Sequence, residues 1–128
     1  MAAEKLFENR VKTWLKSQGI YKLGTPIQHM HVPAIGYYEK RFGNKMTTSG
    51  LPDMHIVING ISLEVEVKAP NGRPSDMQKC IIAQINRANC YGAILYEDSS
   101  NFPKDGFGYY IDYDTFKEVV RYYADKSQ

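Results

Sequence analysis

The sequence predicts an α/β fold, a mixed sheet with flanking helices, and three observations carry that prediction. Asn59-Gly60 favours a two-residue type I′ turn and separates two runs rich in β-branched residues, MHIVI and ISLEVEVK, which makes them an antiparallel hairpin. Amphipathic helical spacing both precedes and follows that hairpin. The second helical stretch leads into a short apolar run at 92–96, and a strand reached by a helical crossover has a parallel neighbour.

Residues 4–18, EKLFENRVKTWLKSQ, place Phe7, Val11, Trp14 and Leu15 at helical spacing, and Gly19 suits the end of that helix. Glu8 lies three and seven positions before Val11 and Leu15, at the rim of the apolar stripe, where pairing with Lys12 at i+4 would account for it. Glu4, one turn earlier, suits the positive end of the helix dipole. Residues 20–49 mix glycines, prolines and aromatics and read as an extended loop with a short strand or two. His29 and His31 have the spacing of one strand face, but two histidines without a third ligand nearby read as structural or surface residues. Tyr37, Tyr38, Lys40, Arg41 and Lys45 interleave rings with cations, and Gly43 admits close backbone approach. That segment suits a DNA-contacting arm or an ordinary solvated loop.

A two-residue turn pairs Ile58 with Ile61 and, counting outward, His55 with Glu64 and Asp53 with Glu66. Opposed residues have Cα atoms roughly 4.5–5.5 Å apart, so the last two carboxylates could ligate one cation. Alternation puts His55, Glu64, Glu66 and Lys68 on their side, and Met54, Ile56, Ile58, Ile61, Leu63, Val65 and Val67 on the other. A solvated face of an amphipathic hairpin has the same alternation.

Beyond Lys68, turn-formers fill 69–74, and Ser75 with Gln78 makes a Ser-x-x-Gln capping box. The helix so begun carries Ile81, Ile82, Ile85 and Ala88 on one face and ends between Asn89 and Gly92. Residues 92–96 read as a central strand, 101–108 as a loop and 109–111 as a short strand. A closing helix starts at Asp114 or Thr115, with Glu118 completing a Thr-x-x-Glu box, and presents Phe116, Val119, Val120 and Tyr123 as its apolar face. Tyr109, Tyr110, Tyr113, Tyr122 and Tyr123 finish the core or make an oligomer surface.

With 128 residues and 43% hydrophobic content, the chain fits one globular domain, 1–128. Sixteen basic and fourteen acidic residues leave a net charge of +2, which neither demands nor excludes nucleic acid. There is no apolar run of about 18 residues and no secretory-type leader, so an intracellular protein with no membrane partner is expected. Cys80 and Cys90 lack the paired spacing of a zinc site and read as reduced, partly buried thiols within one helical stretch.

Pro52-Asp53 followed by Glu66-Val67-Lys68, with twelve residues between the acids, resembles the PD-(D/E)XK nuclease pattern. The wider string SGLPD…EVEVKAPNGRPSDMQ is similar to its VRR-NUC branch, the virus-type replication-repair nucleases, in which the lysine is followed by a Gly-Arg-Pro turn and a helix carrying glutamine. The likeness runs from about Glu4 to Tyr96. It implies a restriction-endonuclease-like αβββαβ core and a Mg²⁺- or Mn²⁺-dependent endodeoxyribonuclease acting on branched, flap or nicked DNA, in the manner of resolvase-like repair and recombination enzymes. It implies Asp53, Glu66, the Val67 carbonyl and a glutamate of the first helix, Glu8 with Glu4 as its competitor, as metal ligands, Lys68 as the residue acting on water or on developing charge, and Gln78 directed at the active centre. DNA contacts are expected at Lys40, Arg41, Lys45, Arg73 and Lys79. Compact members of the family act as homodimers, so a homodimer without a small-molecule cofactor is expected, cytoplasmic or of viral origin in a host cell. The alternatives are a non-catalytic DNA-binding module that kept the fold and a partner-binding domain whose polar face is merely wet. The intact Asp53, Glu66 and Lys68 favour the enzyme.

Overall fold

In the computed structural model, which describes residues 2–41 and 50–126, the chain is built on a six-stranded mixed sheet whose strands lie side by side in chain order. Helix α1 (Ala3–Ser17) is followed by β1 (Ile20–Lys22), β2 (Gly36–Lys40), β3 (Met54–Ile58) and β4 (Ile61–Val67). Helix α2 (Asp76–Arg87) crosses to β5 (Tyr91–Leu95), and β6 (Tyr110–Ile111) precedes the closing α3 (Tyr113–Asp125). β2, β3 and β4 form an antiparallel meander; β5 lies parallel to β4, and the edge strands β1 and β6 pair parallel with β2 and β5. The run α1, β2, β3, β4, α2, β5 is the expected αβββαβ order, to which β1, β6 and α3 are added.

Each sheet face has its own core. Phe7, Val11 and Leu15 of α1 and Phe116 and Val120 of α3 pack with Met54, Ile56, Leu63, Val65 and Val67, all buried. Burying each such side chain contributes about 1.5–3 kcal/mol. On the other face Ile82 of α2 packs with Ile94 and Tyr96 and the rings of Phe102, Phe107 and Tyr110. Glu64 and Glu66 belong to this second face, opposite Gly92 and Ile94 of β5. At Gly92 the helix packs closely on the strand: a Cβ would stand 3.0 Å from the Ile85 side chain and 3.2 Å from that of Asn86, which would have to shift to admit it.

The hairpin has the expected register, with Ile58 opposite Ile61 and His55 opposite Glu64. Asn59 (φ 50°) and Gly60 (φ 83°) both adopt the left-handed conformation that a type I′ turn requires. Two pairs further outward, past Met54 and Val65, the Asp53 N–H donates to Glu66 Oε1 at 3.1 Å.

Several expectations are corrected. Ile61 is 41% exposed, although its partner across the turn, Ile58, is fully buried. On α2 only Ile82 is fully buried and Ala88 is exposed; Asn89 turns left-handed (φ 64°) and ends the helix. Cys80 on α2 and Cys90 beyond its end are free and exposed, not partly buried. Helix α3 starts earlier than expected, because Asp112 caps it by accepting from the Thr115 N–H at 2.8 Å. His29 belongs to a 3₁₀ turn, Ile27–His29, entered from Pro26, so it and His31 do not share a strand face; both are exposed. Tyr37, Tyr38 and Lys40 lie in β2, not in an arm, and Tyr38 joins the core. Gly43 and Lys45 fall outside the described residues. Among the described residues no helix is long and apolar enough to cross a membrane.

Candidate metal centre

Asp53 and Glu66 meet where the hairpin opens, and the backbone fixes both. Glu66 Oε1 accepts the Asp53 N–H, and Asp53 Oδ1 accepts the Val67 N–H at 3.2 Å. Each acid is thus oriented by its partner's strand. Arg41 ties the Pro52-Asp53 turn to the end of β2: its N–H donates to the Asp53 carbonyl at 2.7 Å and its guanidinium to the Pro52 carbonyl at 2.9 Å.

Gln78 both caps α2 and reaches Glu66. With Ser75 it completes the capping box of α2, its Oε1 accepting the Ser75 N–H at 2.9 Å. Its Nε2 donates to Glu66 Oε2 at 3.3 Å. The Lys68 ammonium is 3.7 Å from that same oxygen, beyond hydrogen-bond reach but close enough for strong attraction. Its N–H is taken by the Leu95 carbonyl, which seats the residue at the end of β4. Val67, whose carbonyl is an expected ligand, is buried just before it.

Burial pushes the Glu66 carboxyl up to about 7, and repulsion from Asp53 pushes the same way, while Lys68 and the Asp53 N–H pull it down. Burial also raises Asp53, against the pull of Lys40 and the Val67 N–H. Two repelling carboxylates without enough positive charge are a site that a cation stabilises.

Glu8 is 2% exposed on α1 and is not in direct contact with that pair. Lys40 stands between them, its Nζ 2.7 Å from Glu8 Oε1 and 2.9 Å from Asp53 Oδ2. Lys5 and Lys12 lie 3.4 Å from Glu8 Oε2. Burial alone would raise the Glu8 carboxyl, but its lysines, Lys40 foremost, hold it below its usual value. The sequence reading of Glu8 as a boundary residue paired with Lys12 captures one of three ion pairs.

Glu64 has a different company. Arg41 grips both of its oxygens, and His55 Nδ1 meets Oε1 across the hairpin. Bidentate pairing of this kind is strong and directional. Lys40 and Arg41, expected at DNA, are therefore engaged inside the protein by Glu8, Asp53 and Glu64. Arg73 is exposed beside a polar cleft of about 440 Å³, which Asn71, Ser100, Asn101 and Lys104 also line. Lys79 is occupied by Asp76 and Asp105.

A basic cleft of about 270 Å³, lined by Lys12, Lys16, Lys22, His29, Tyr21 and Tyr38, escaped the sequence reading. Its lysines come from α1 and from β1, and only the four-residue spacing of Lys12 and Lys16 hinted at a shared face. The cleft begins one helical turn, about 5.4 Å, beyond Glu8.

Hard carboxylate oxygens suit Mg²⁺ or Mn²⁺, which keep several waters and need only one or two carboxylates. The Asp53–Glu66 pair fits that demand. Among the described residues no group of three or more histidine, cysteine, aspartate or glutamate side chains is gathered as a closed cage. No family model, curated protein or solved structure matches the chain.

Proposed function

We propose that this protein is a Mg²⁺- or Mn²⁺-dependent endodeoxyribonuclease of the VRR-NUC kind, cutting branched, flap or nicked DNA. The observation that carries the reading is the meeting of Asp53, Gln78 and Lys68 around Glu66, a buried carboxylate pushed up to about 7. A titratable group strongly perturbed by burial together with a specific charge partner is a functional-site candidate. The basic cleft along α1 supports a polyanionic substrate.

Asp53, Glu66, the Val67 carbonyl and Glu8 would hold the ion. When bound, it supplies polarisation of the phosphate and a lowered pKa for a bound water. Lys68, 3.7 Å from Glu66, orients that water or stabilises the charge that develops on phosphate. Gln78 holds Glu66 in place and keeps α2 docked against it. A homodimer would present two such sites to two strands of one branched substrate. Sedimentation at working concentration reads this directly; a strict monomer, free and on DNA, reduces the reaction to nicking.

The deciding experiment incubates purified protein with branched and linear duplex DNA in Mg²⁺, Mn²⁺ or EDTA. Metal-dependent cutting is expected. Retention of DNA without cutting identifies a binding module instead, and neither result points to a partner-binding domain.

A further inference from the structure

We propose that Lys40 is an exchangeable internal cation, whose ammonium holds Glu8 and Asp53 together in the metal-free protein and is displaced when a divalent ion binds there. This rests on the reading that Asp53 and Glu66 hold such an ion. Lys40 lies at the end of β2, opposite Met54 in the register, so its stem emerges beside Asp53. Tyr38 and Lys40 point to the α1 face of the sheet by alternation, which brings the ammonium under Glu8. The result is one cation shared by acids from two elements, at 2.7 Å and 2.9 Å, with the Lys40 side chain only 14% exposed.

The oxygens it holds, Glu8 Oε1 and Asp53 Oδ2, are among those the metal reading needs. Asp53 Oδ1 accepts the Val67 N–H, whereas Oδ2 is held by the Lys40 ammonium. The ammonium is a compact point charge 2.7 Å and 2.9 Å from these oxygens, and it repels a metal ion brought to the same oxygens. Ion and ammonium therefore compete. Lysine is suited to the exchange, because its flexible four-carbon stem lets the charge leave without moving β2. Once released, that charge sits at the edge of the centre, where a DNA phosphate arrives. Metal entry thus converts Lys40 from an internal partner into a phosphate contact, and by reciprocity DNA favours the metal-bound state.

The test compares Mn²⁺ binding, by calorimetry and electron paramagnetic resonance without DNA, in the wild type, Lys40→Met and Lys40→Arg. Lys40→Met should bind Mn²⁺ at least about fivefold more tightly, while melting at a lower temperature without metal. Lys40→Arg retains the charge and should stay close to wild type. Equal or weaker binding in Lys40→Met overturns the exchange and leaves the metal reading standing. Absence of Mn²⁺ binding in all three proteins removes both. A wild-type measurement guards against a folding defect: the Lys40 ¹⁵Nζ resonance, protected in the metal-free protein, should lose that protection on saturation with Mg²⁺. A resonance unchanged at saturation also overturns the proposal.

Discussion

Glu64 and Glu66 stand two residues apart on one strand, face the same side and are almost equally buried, at 9% and 7% exposure, yet their surroundings differ in kind. Glu64 is gripped on both oxygens by Arg41 and met by His55. Glu66 receives one backbone N–H, one amide and a lysine that stops at 3.7 Å, and it faces a second acid. Burial and alternation are shared, so neither distinguishes a structural carboxylate from a reactive one. The distinction lies in how much positive charge the protein itself provides.

The largest effect expected from that difference is on cleavage. Glu66→Gln should abolish metal-dependent cutting, by at least about a thousandfold, because an amide is a poor ligand for a hard divalent ion. Glu64→Gln should leave substantial activity. Assays on one branched substrate, with circular dichroism to establish folding, compare the two directly. The opposite outcome would remove the hairpin register, the motif assignment and the site together.

Next in size is Lys68→Ala, expected to lower turnover by about a hundredfold or more while Mn²⁺ binding by calorimetry stays near wild type. Its ammonium approaches Glu66 without hydrogen-bonding to it, so it neither ligates nor holds the ligand in place. Full turnover in the variant would take Lys68 out of the reaction.

The hairpin side of this comparison is legible in the sequence because a two-residue turn leaves no freedom in register: Asn59-Gly60 alone puts Asp53 against Glu66 and His55 against Glu64. Gln78 is legible for the same reason, since a capping box fixes which backbone groups its side chain meets. What surrounds Glu64 and Glu8 is not. Arg41 reaches Glu64 across 23 positions from the end of β2, and Lys40 reaches Glu8 on α1, long-range contacts that no periodicity encodes. Tyr37, Tyr38, Lys40 and Arg41 therefore read as a DNA-contacting arm or a solvated loop, when they are a strand and its end with Lys40 and Arg41 turned inward. His29 misleads in the opposite way: its spacing to His31 suggests a strand, and Pro26 begins a 3₁₀ turn instead.

A smaller, thermodynamic effect sharpens the same contrast. Glu66 keeps its proton to about pH 7 in the folded chain, against about 4.5 for an ordinary glutamate, so between those values the native state binds more protons than the unfolded one. Stability of the metal-free protein should then fall as pH rises from 4.5 through 7, by up to about 3 kcal/mol, and Asp53, also raised, adds in the same direction. Glu8, held below its usual value, acts oppositely and only at lower pH, its contribution being lost as pH falls. Melting curves from pH 4.5 to 8 measure the slope. Glu66→Gln should flatten most of it, Glu64→Gln should not, and saturating Mn²⁺, which prefers the ionised carboxylate, should offset the fall. A slope unchanged by Glu66→Gln would place the charge imbalance elsewhere.

The smallest effect concerns Glu64 itself, and it tests whether Arg41 is what neutralises that acid. Its side chain is 12% exposed and that of Arg41 29%, so the pair is partly desolvated and each partner is costly to leave alone. Glu64→Gln should destabilise by about 1.5–3 kcal/mol, the usual cost of losing a hydrogen-bonded charge. Arg41→Met should lose a similar amount plus its bond to the Pro52 carbonyl, while the Arg41 N–H still holds the Asp53 carbonyl, so the motif stays in place. If the two acids differ because Arg41 neutralises one of them, the double variant should recover about 1–2 kcal/mol relative to the sum of the singles. Urea denaturation at fixed pH, away from the titration of Glu66, measures that coupling. Additivity within about 0.5 kcal/mol would mean that Arg41 and Glu64 act independently. The contrast with Glu66 would then have to be sought in the distance of Glu64 from Asp53, one pleat away along β4, and not in the charge it already holds.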